Sequence, residues 1–128
     1  MFTKSQDSFA LVAHLLLAAL FILAGINKLG AMEGTVGYIE AFGLPFPQLV
    51  YFGTVALEIG GGLLLAAGFK TRFAALALGI FTVLTAVIFH SNFAEQTEIT
   101  LFLKNLAIAG GMFAVVAFGP GRFSLDRE

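Results

Sequence analysis

The chain contains no cysteine and no tryptophan, three prolines and two histidines, and only 12% of its 128 residues are charged. Each shortage removes a class of function. Without cysteine there is no thiolate nucleophile, no disulfide exchange and no iron–sulfur ligation by this chain. Two histidines, His14 and His90, make no metal motif, so no metal site is expected. Lys and Arg total seven, with a net charge of −1 and no basic tract. Nucleic-acid binding is therefore not expected. A soluble domain carries roughly a quarter of its residues charged. This chain holds half that share, while 59% of it is hydrophobic. Lipid is the solvent that composition fits.

What is present is four long apolar runs, at residues 9–28, 49–69, 73–90 and 99–118. Each approaches the ~20 residues a helix needs to cross ~30 Å of hydrocarbon. They are rich in Ala, Leu and Gly and lack the two-residue alternation of strands. The first run exceeds a signal-peptide core and lacks a small-residue cleavage pattern, which predicts a retained helix. The fold expected is an all-α membrane protein: one domain, a four-transmembrane-helix antiparallel bundle. Short links at 70–72 and 90–98 join the later runs. The long link between runs one and two carries Val36, Ile39 and Phe42 three apart, which predicts a short amphipathic helix at the membrane surface over 34–42. Gly43, Pro45 and Pro47 end it.

Basic residues set the expected orientation. With four spans, Lys4, Lys70, Arg72, Arg122 and Arg127 fall on one side. Lys28 and Lys104 fall on or near the other. The positive-inside rule then places both termini in the cytoplasm.

The second run, "VALEIGGGLLLAAGF" at 55–69, carries one carboxylate, Glu58. It lies ~15 Å into the span, near the midplane. An acidic residue at a helix centre costs about 2.5–3.5 kcal/mol to insert. Glu58 is expected to face the bundle, sharing its helical face with Thr54, Gly61 and Gly62. Three states relieve the cost: a neutral carboxyl in a packing contact, an anion paired with a lysine, or the floor of a polar cavity. By depth, Lys104 is the first-ranked partner. Asn105 suits an interhelical bond or a ligand carbonyl. Lys28 and His90 stand at the outer ends of runs one and three, placed to hold a headgroup. Together these residues predict a cavity open towards the outer face, with Glu58 as the candidate proton-handling group. His14 lies in the other half and is expected to be a bundle histidine.

"LFILAGINKLG", "LEIGGGLLLAAGFKTRFAAL", "FLKNLAIAGGMF" and "GPGRFSLD" occur in order across nearly the whole chain. Together they resemble the DoxX family of small bacterial membrane proteins. The resemblance implies a four-helix, multi-pass protein of the bacterial inner membrane. Carried over by motif, Gly25 and Lys28 match helix one, Glu58, Gly61 and Gly62 helix two, and Lys104 and Asn105 helix four. It also implies a redox-linked activity associated with quinone.

Three functions follow. In the first, a quinone binds in the cavity, its carbonyls accept bonds from Lys104, Asn105 or His90, and Glu58 relays the proton. The triple glycine at 60–62 lies within a helix and makes no flavin or nicotinamide fingerprint, so electrons come from a partner redox subunit. In the second, the chain binds or transports a lipid or small solute, with a homo-oligomer supplying the room that transport needs. In the third, it is a non-catalytic accessory or chaperone subunit of a membrane complex.

Overall fold

The computed structural model describes residues 3–126, and Arg127 lies outside them. The described residues form five helices and no strand: α1 Lys4–Leu29, α2 Met32–Ala41, α3 Pro47–Ala67, α4 Thr71–Phe89 and α5 Gln96–Phe118. Among them α1, α3, α4 and α5 are long and apolar enough to cross a membrane.

All four spans begin earlier than the apolar runs that predict them, by two residues for α3 and α4 and by more for α1 and α5. α1 extends back to Lys4 because Thr3 caps it. The Thr3 hydroxyl accepts the Gln6 N–H at 3.1 Å, and the Gln6 side chain accepts the Thr3 N–H at 2.7 Å. This reciprocal capping box satisfies two backbone donors. α5 likewise takes in the polar turn from Gln96 to Glu98. Pro47 opens α3, where its fixed φ suits a first helical turn. Gly68 closes α3 in the left-handed conformation, at φ +68°.

The four long helices form an antiparallel ring in chain order. α1 packs along α3, α3 against α4, α4 along α5, and α5 returns to α1. α1 and α4 therefore stand on one diagonal, α3 and α5 on the other. The outer faces expose Phe9, Leu16, Leu23, Leu49, Phe73 and Leu103. In water such a surface would aggregate; in a bilayer it is the ordinary lipid-facing side.

Close approach of α1 and α3 depends on glycine. A Cβ on Gly62 would sit 2.7 Å from Ile22 Cγ1 and 3.3 Å from the Ile22 backbone nitrogen. One on Gly25 would sit 2.5 Å from Ile59 Cγ1. Small residues let two backbones come together where no hydrophobic effect drives helices to associate. This seam sets the register that brings the end of α1 beside the middle of α3.

At one end of the ring, the segment after α5 folds back over the bundle. Pro120 is fully buried. The Asp7 carboxylate accepts the Arg122 N–H at 2.9 Å. The Leu125 and Asp126 N–H groups donate to the Ala67 and Gly68 carbonyls at 3.1 and 2.8 Å. Asp126 then caps α4 from a distance in sequence. Its carboxylate accepts the Lys70 N–H, the Thr71 N–H and the Thr71 hydroxyl at 2.9, 2.8 and 2.6 Å. Lys4, Lys70, Arg72 and Arg122 all belong to this end. His14 is fully buried beneath it, beside the Leu65 and Phe123 backbones.

α2 occupies the opposite end. Ile39 is buried and packs with Tyr51, Val55 and half-buried Val36 in a small apolar cluster separate from the main core. The segment thus packs onto α3 as a cover for the ring.

Candidate functional site

Beneath α2 the ring encloses a cavity of about 480 Å³. Small-molecule sites commonly span ~300–1,000 Å³. Every helix contributes: Lys28 from α1, Thr35 and Tyr38 from α2, Thr54 and Glu58 from α3, Thr82 and Thr85 from α4, and Asn105 from α5. His90, just past α4, stands at its rim. The rest of the lining is apolar, with Phe21, Ile39, Phe81, Phe89 and Ile108 prominent.

The defining contact joins α1 to α3. Lys28 Nζ stands 2.9 Å from Glu58 Oε1, with the lysine side chain 30% exposed and the glutamate 6%. The geometry follows from the glycine seam. Gly25 packs against Glu58 Cβ and Ile59, and Lys28 lies one turn further along the same face of α1. Tyr51, two turns before Glu58 on α3, donates its hydroxyl to the Lys28 carbonyl at 2.8 Å. Tyr51 therefore holds the end of α1 in place from beneath. Glu58 Oε1 is buried and meets the Lys28 ammonium, while the residue lines the cavity wall.

Opposite the ion pair, Asn105 Nδ2 donates to Thr85 Oγ1 at 3.2 Å and approaches the Thr82 carbonyl at 3.4 Å. Thr82 and Thr85 in turn donate to the Leu78 and Thr82 carbonyls. These bonds fix the amide and leave Oδ1 as an acceptor without a protein donor among the described residues. At the rim, His90 Nδ1 lies 2.9 Å from Glu98 Oε2. Tyr38, Phe42 and Phe89 close the α2 side: Tyr38 and Phe89 stack at 5.4 Å, and Phe42 meets each of them at 4.9 Å. Burial, together with the nearby Glu98 carboxylate, raises the Tyr38 phenol above its ordinary pKa.

The residues singled out in the sequence divide cleanly. Lys28, Thr54, Glu58, His90 and Asn105 line one cavity. Lys104 does not; it is exposed on the outside of α5. Two geometric facts separate it from Glu58. α3 and α5 are diagonal in the ring, and consecutive residues on a helix point about 100° apart, so with Asn105 turned inward Lys104 cannot be. The partner of Glu58 is Lys28. Gly61 and Gly62 are also away from the cavity: Gly61 packs against Leu78, and Gly62 against α1. They are contacts between helices, while Glu58 and Thr54 alone of that stripe reach the cavity.

Tyr38, Tyr51, Thr82, Thr85 and Phe89 were not among the residues singled out. Tyr51 had a readable signal, a lone tyrosine in an apolar span, since a buried phenol needs a partner. The threonines bond within their own helix, a role that spacing does not separate from packing.

Comparison with known proteins places these features in a family. The DoxX family model matches residues 9–91. Over 124 residues, 97% of this chain and 94% of the relative, the chain is 46% identical to the inner membrane protein YqjF of Escherichia coli strain K12. It is 33% identical to the inner membrane protein YphA of the same strain, over 99% of this chain and 94% of that one. It is 29% identical to a Bacillus subtilis strain 168 protein named "Putative oxidoreductase CatD", over 86% of this chain and 85% of the relative. No solved structure matches the chain.

Proposed function

The chain belongs to the DoxX family of membrane proteins, and on that premise we propose that it binds a quinone as a redox-linked subunit of a bacterial inner membrane. The observation that carries the proposal is the Lys28–Glu58 pair in the wall of an otherwise apolar cavity. A quinone is a flat apolar ring with two carbonyl acceptors. Lys28 is a donor for a quinone carbonyl, Asn105 Oδ1 is an acceptor for the hydroxyl of the quinol, and Phe21, Phe81 and Phe89 offer ring faces.

Reduction of a quinone to a quinol takes two electrons and two protons. Glu58, paired with Lys28 in the cavity wall, is the group to pass one of these protons to a quinone oxygen. The electrons come from a partner redox protein, because the chain carries no cysteine and no dinucleotide fingerprint. The name of the Bacillus subtilis relative points the same way. The basic end, with Lys4, Lys70, Arg72 and Arg122, is assigned to the cytoplasm, which turns the cavity and α2 outward.

Solvent extraction of the protein purified in mild detergent tests the proposal. Wild type should yield about one quinone per chain, and Glu58→Gln markedly less. Quinone-free wild-type protein contradicts it. Phospholipid retained instead of quinone, read by native mass spectrometry, moves the assignment to lipid binding, which the apolar lining also suits.

A further inference from the structure

The cavity has two boundaries of different character. Its α2 end is covered by Tyr38, Phe42 and Phe89, three rings in mutual contact. Its sides are not closed in the same way. Leu20 on α1, and Leu84 and Ile88 on α4, line the cavity and are also 43%, 53% and 38% exposed. All three lie within membrane-spanning helices, Leu20 and Leu84 inside the span and Ile88 at the last turn of α4. Around the ring, α1 meets α5 and α3 meets α4 far more loosely than α1 packs on α3 or α4 on α5, so the sides flanking α1 and α4 are the loose ones. The cavity therefore reaches the lipid-facing surface of the bundle, and it does so through apolar side chains. The polar groups, Lys28, Glu58, Asn105 and His90, sit towards the covered end.

This is the layout of a site for a head-and-chain molecule. From it we infer that the ligand is a bilayer-dissolved amphiphile with a long apolar chain, taken in sideways between the helices. Its carbonyl head lies by Lys28 and Asn105, and its chain leaves past Leu20 or Leu84 into the lipid. A polar, water-soluble ligand would have to part the aromatic cover and would leave the side openings without a use. The inference rests on the quinone reading for the identity of the head; the sideways route rests on the openings alone.

The absence of native tryptophan makes the test direct. Phe21 lines the cavity and is 5% exposed, so lipid outside the bundle does not reach it. Phe21→Trp would place a single fluorophore inside, and Leu16→Trp one on the outer face. In vesicles of phosphatidylglycerol with dibrominated acyl chains, quenching of Phe21→Trp should come within about twofold of Leu16→Trp. Quenching below about a tenth of that reference means that no chain enters, and overturns the inference whether or not a quinone binds. A second measurement uses decylubiquinone and the same ring without its chain. Narrowing the openings with Leu20→Trp and Leu84→Trp together should weaken decylubiquinone binding by about tenfold or more and leave the chain-free ring unchanged. Equal loss of both ligands, or loss of neither, contradicts the sideways route. Failure of both ligands to bind even wild type sinks the quinone reading, and the bromine quenching then decides the route by itself.

Discussion

Lys28 and Glu58 meet at 2.9 Å although the first lies in the last turn of α1 and the second in the middle of α3. The pair is possible because α1 and α3 run antiparallel on a glycine seam, so that the last turn of α1 passes the carboxylate. A charge in a span is stabilised by a partner on a neighbouring helix, and here that partner also faces a cavity.

Removing one member leaves the other charge without its counterpart. Lys28→Met should destabilise the protein by about 1–3 kcal/mol, less than the ~3–5 kcal/mol for a fully buried pair because Lys28 keeps access to solvent. Lys28→Met with Glu58→Gln should recover much of that loss. Thermal unfolding in detergent, followed by circular dichroism, reads both. Strict additivity of the two single changes would mean that the groups do not interact.

The α1–α3 seam should discriminate between two glycines of one triplet. Gly62→Ala pushes a methyl into Ile22 and its backbone, and should cost about 1–3 kcal/mol as overpacking. Gly60→Ala meets nothing within 4 Å and should be neutral or slightly stabilising. Equal effects of the two substitutions would show that the seam is not tightly packed.

The C-terminal clip should open in acid. Burial works to raise the Asp126 carboxyl pKa, but hydrogen bonds from the Thr71 hydroxyl and N–H and the Lys70 N–H, with the Arg72 charge, outweigh it and hold the pKa below its ordinary value. A carboxyl lowered by folding binds protons more readily in the unfolded state. Its stabilisation is complete above the unfolded pKa, about 3.9, and is lost as pH falls through the lower folded value. Hydrogen exchange across 119–126 should therefore be slow at neutral pH and speed up only in strong acid. Asp126→Asn should make it fast throughout, with a loss of about 0.5–2 kcal/mol, as for other helix caps. A clip that loosens near pH 7 would contradict this account.

The four spans were legible because hydrophobic run length is a one-dimensional quantity, and so was the inward-facing carboxylate, whose cost in lipid is independent of its neighbours. The choice of partner was not. Ranking by depth favoured Lys104 because depth ignores which way a side chain points around its helix and which helices are adjacent. A face-based reading would have found Lys28, since Gly25 and Lys28 share a turn of α1 as Glu58 and Gly62 share a turn of α3. The amphipathic spacing of Val36, Ile39 and Phe42 located α2, but its apolar face packs on α3 as a cavity cover, which spacing alone does not separate from a membrane-surface face. Asp126 was out of reach: a cap supplied to Thr71 from 55 positions away has no local signature.

The central claim is that the cavity walled by Lys28 and Glu58 is the ligand site. Equilibrium titration of the reconstituted protein with decylubiquinone tests it most directly. Wild type and the outward-facing Lys104→Met should bind alike, while Lys28→Met and Glu58→Gln should each weaken binding by about tenfold or more. Loss of binding in Lys104→Met with full binding in Glu58→Gln would contradict the account.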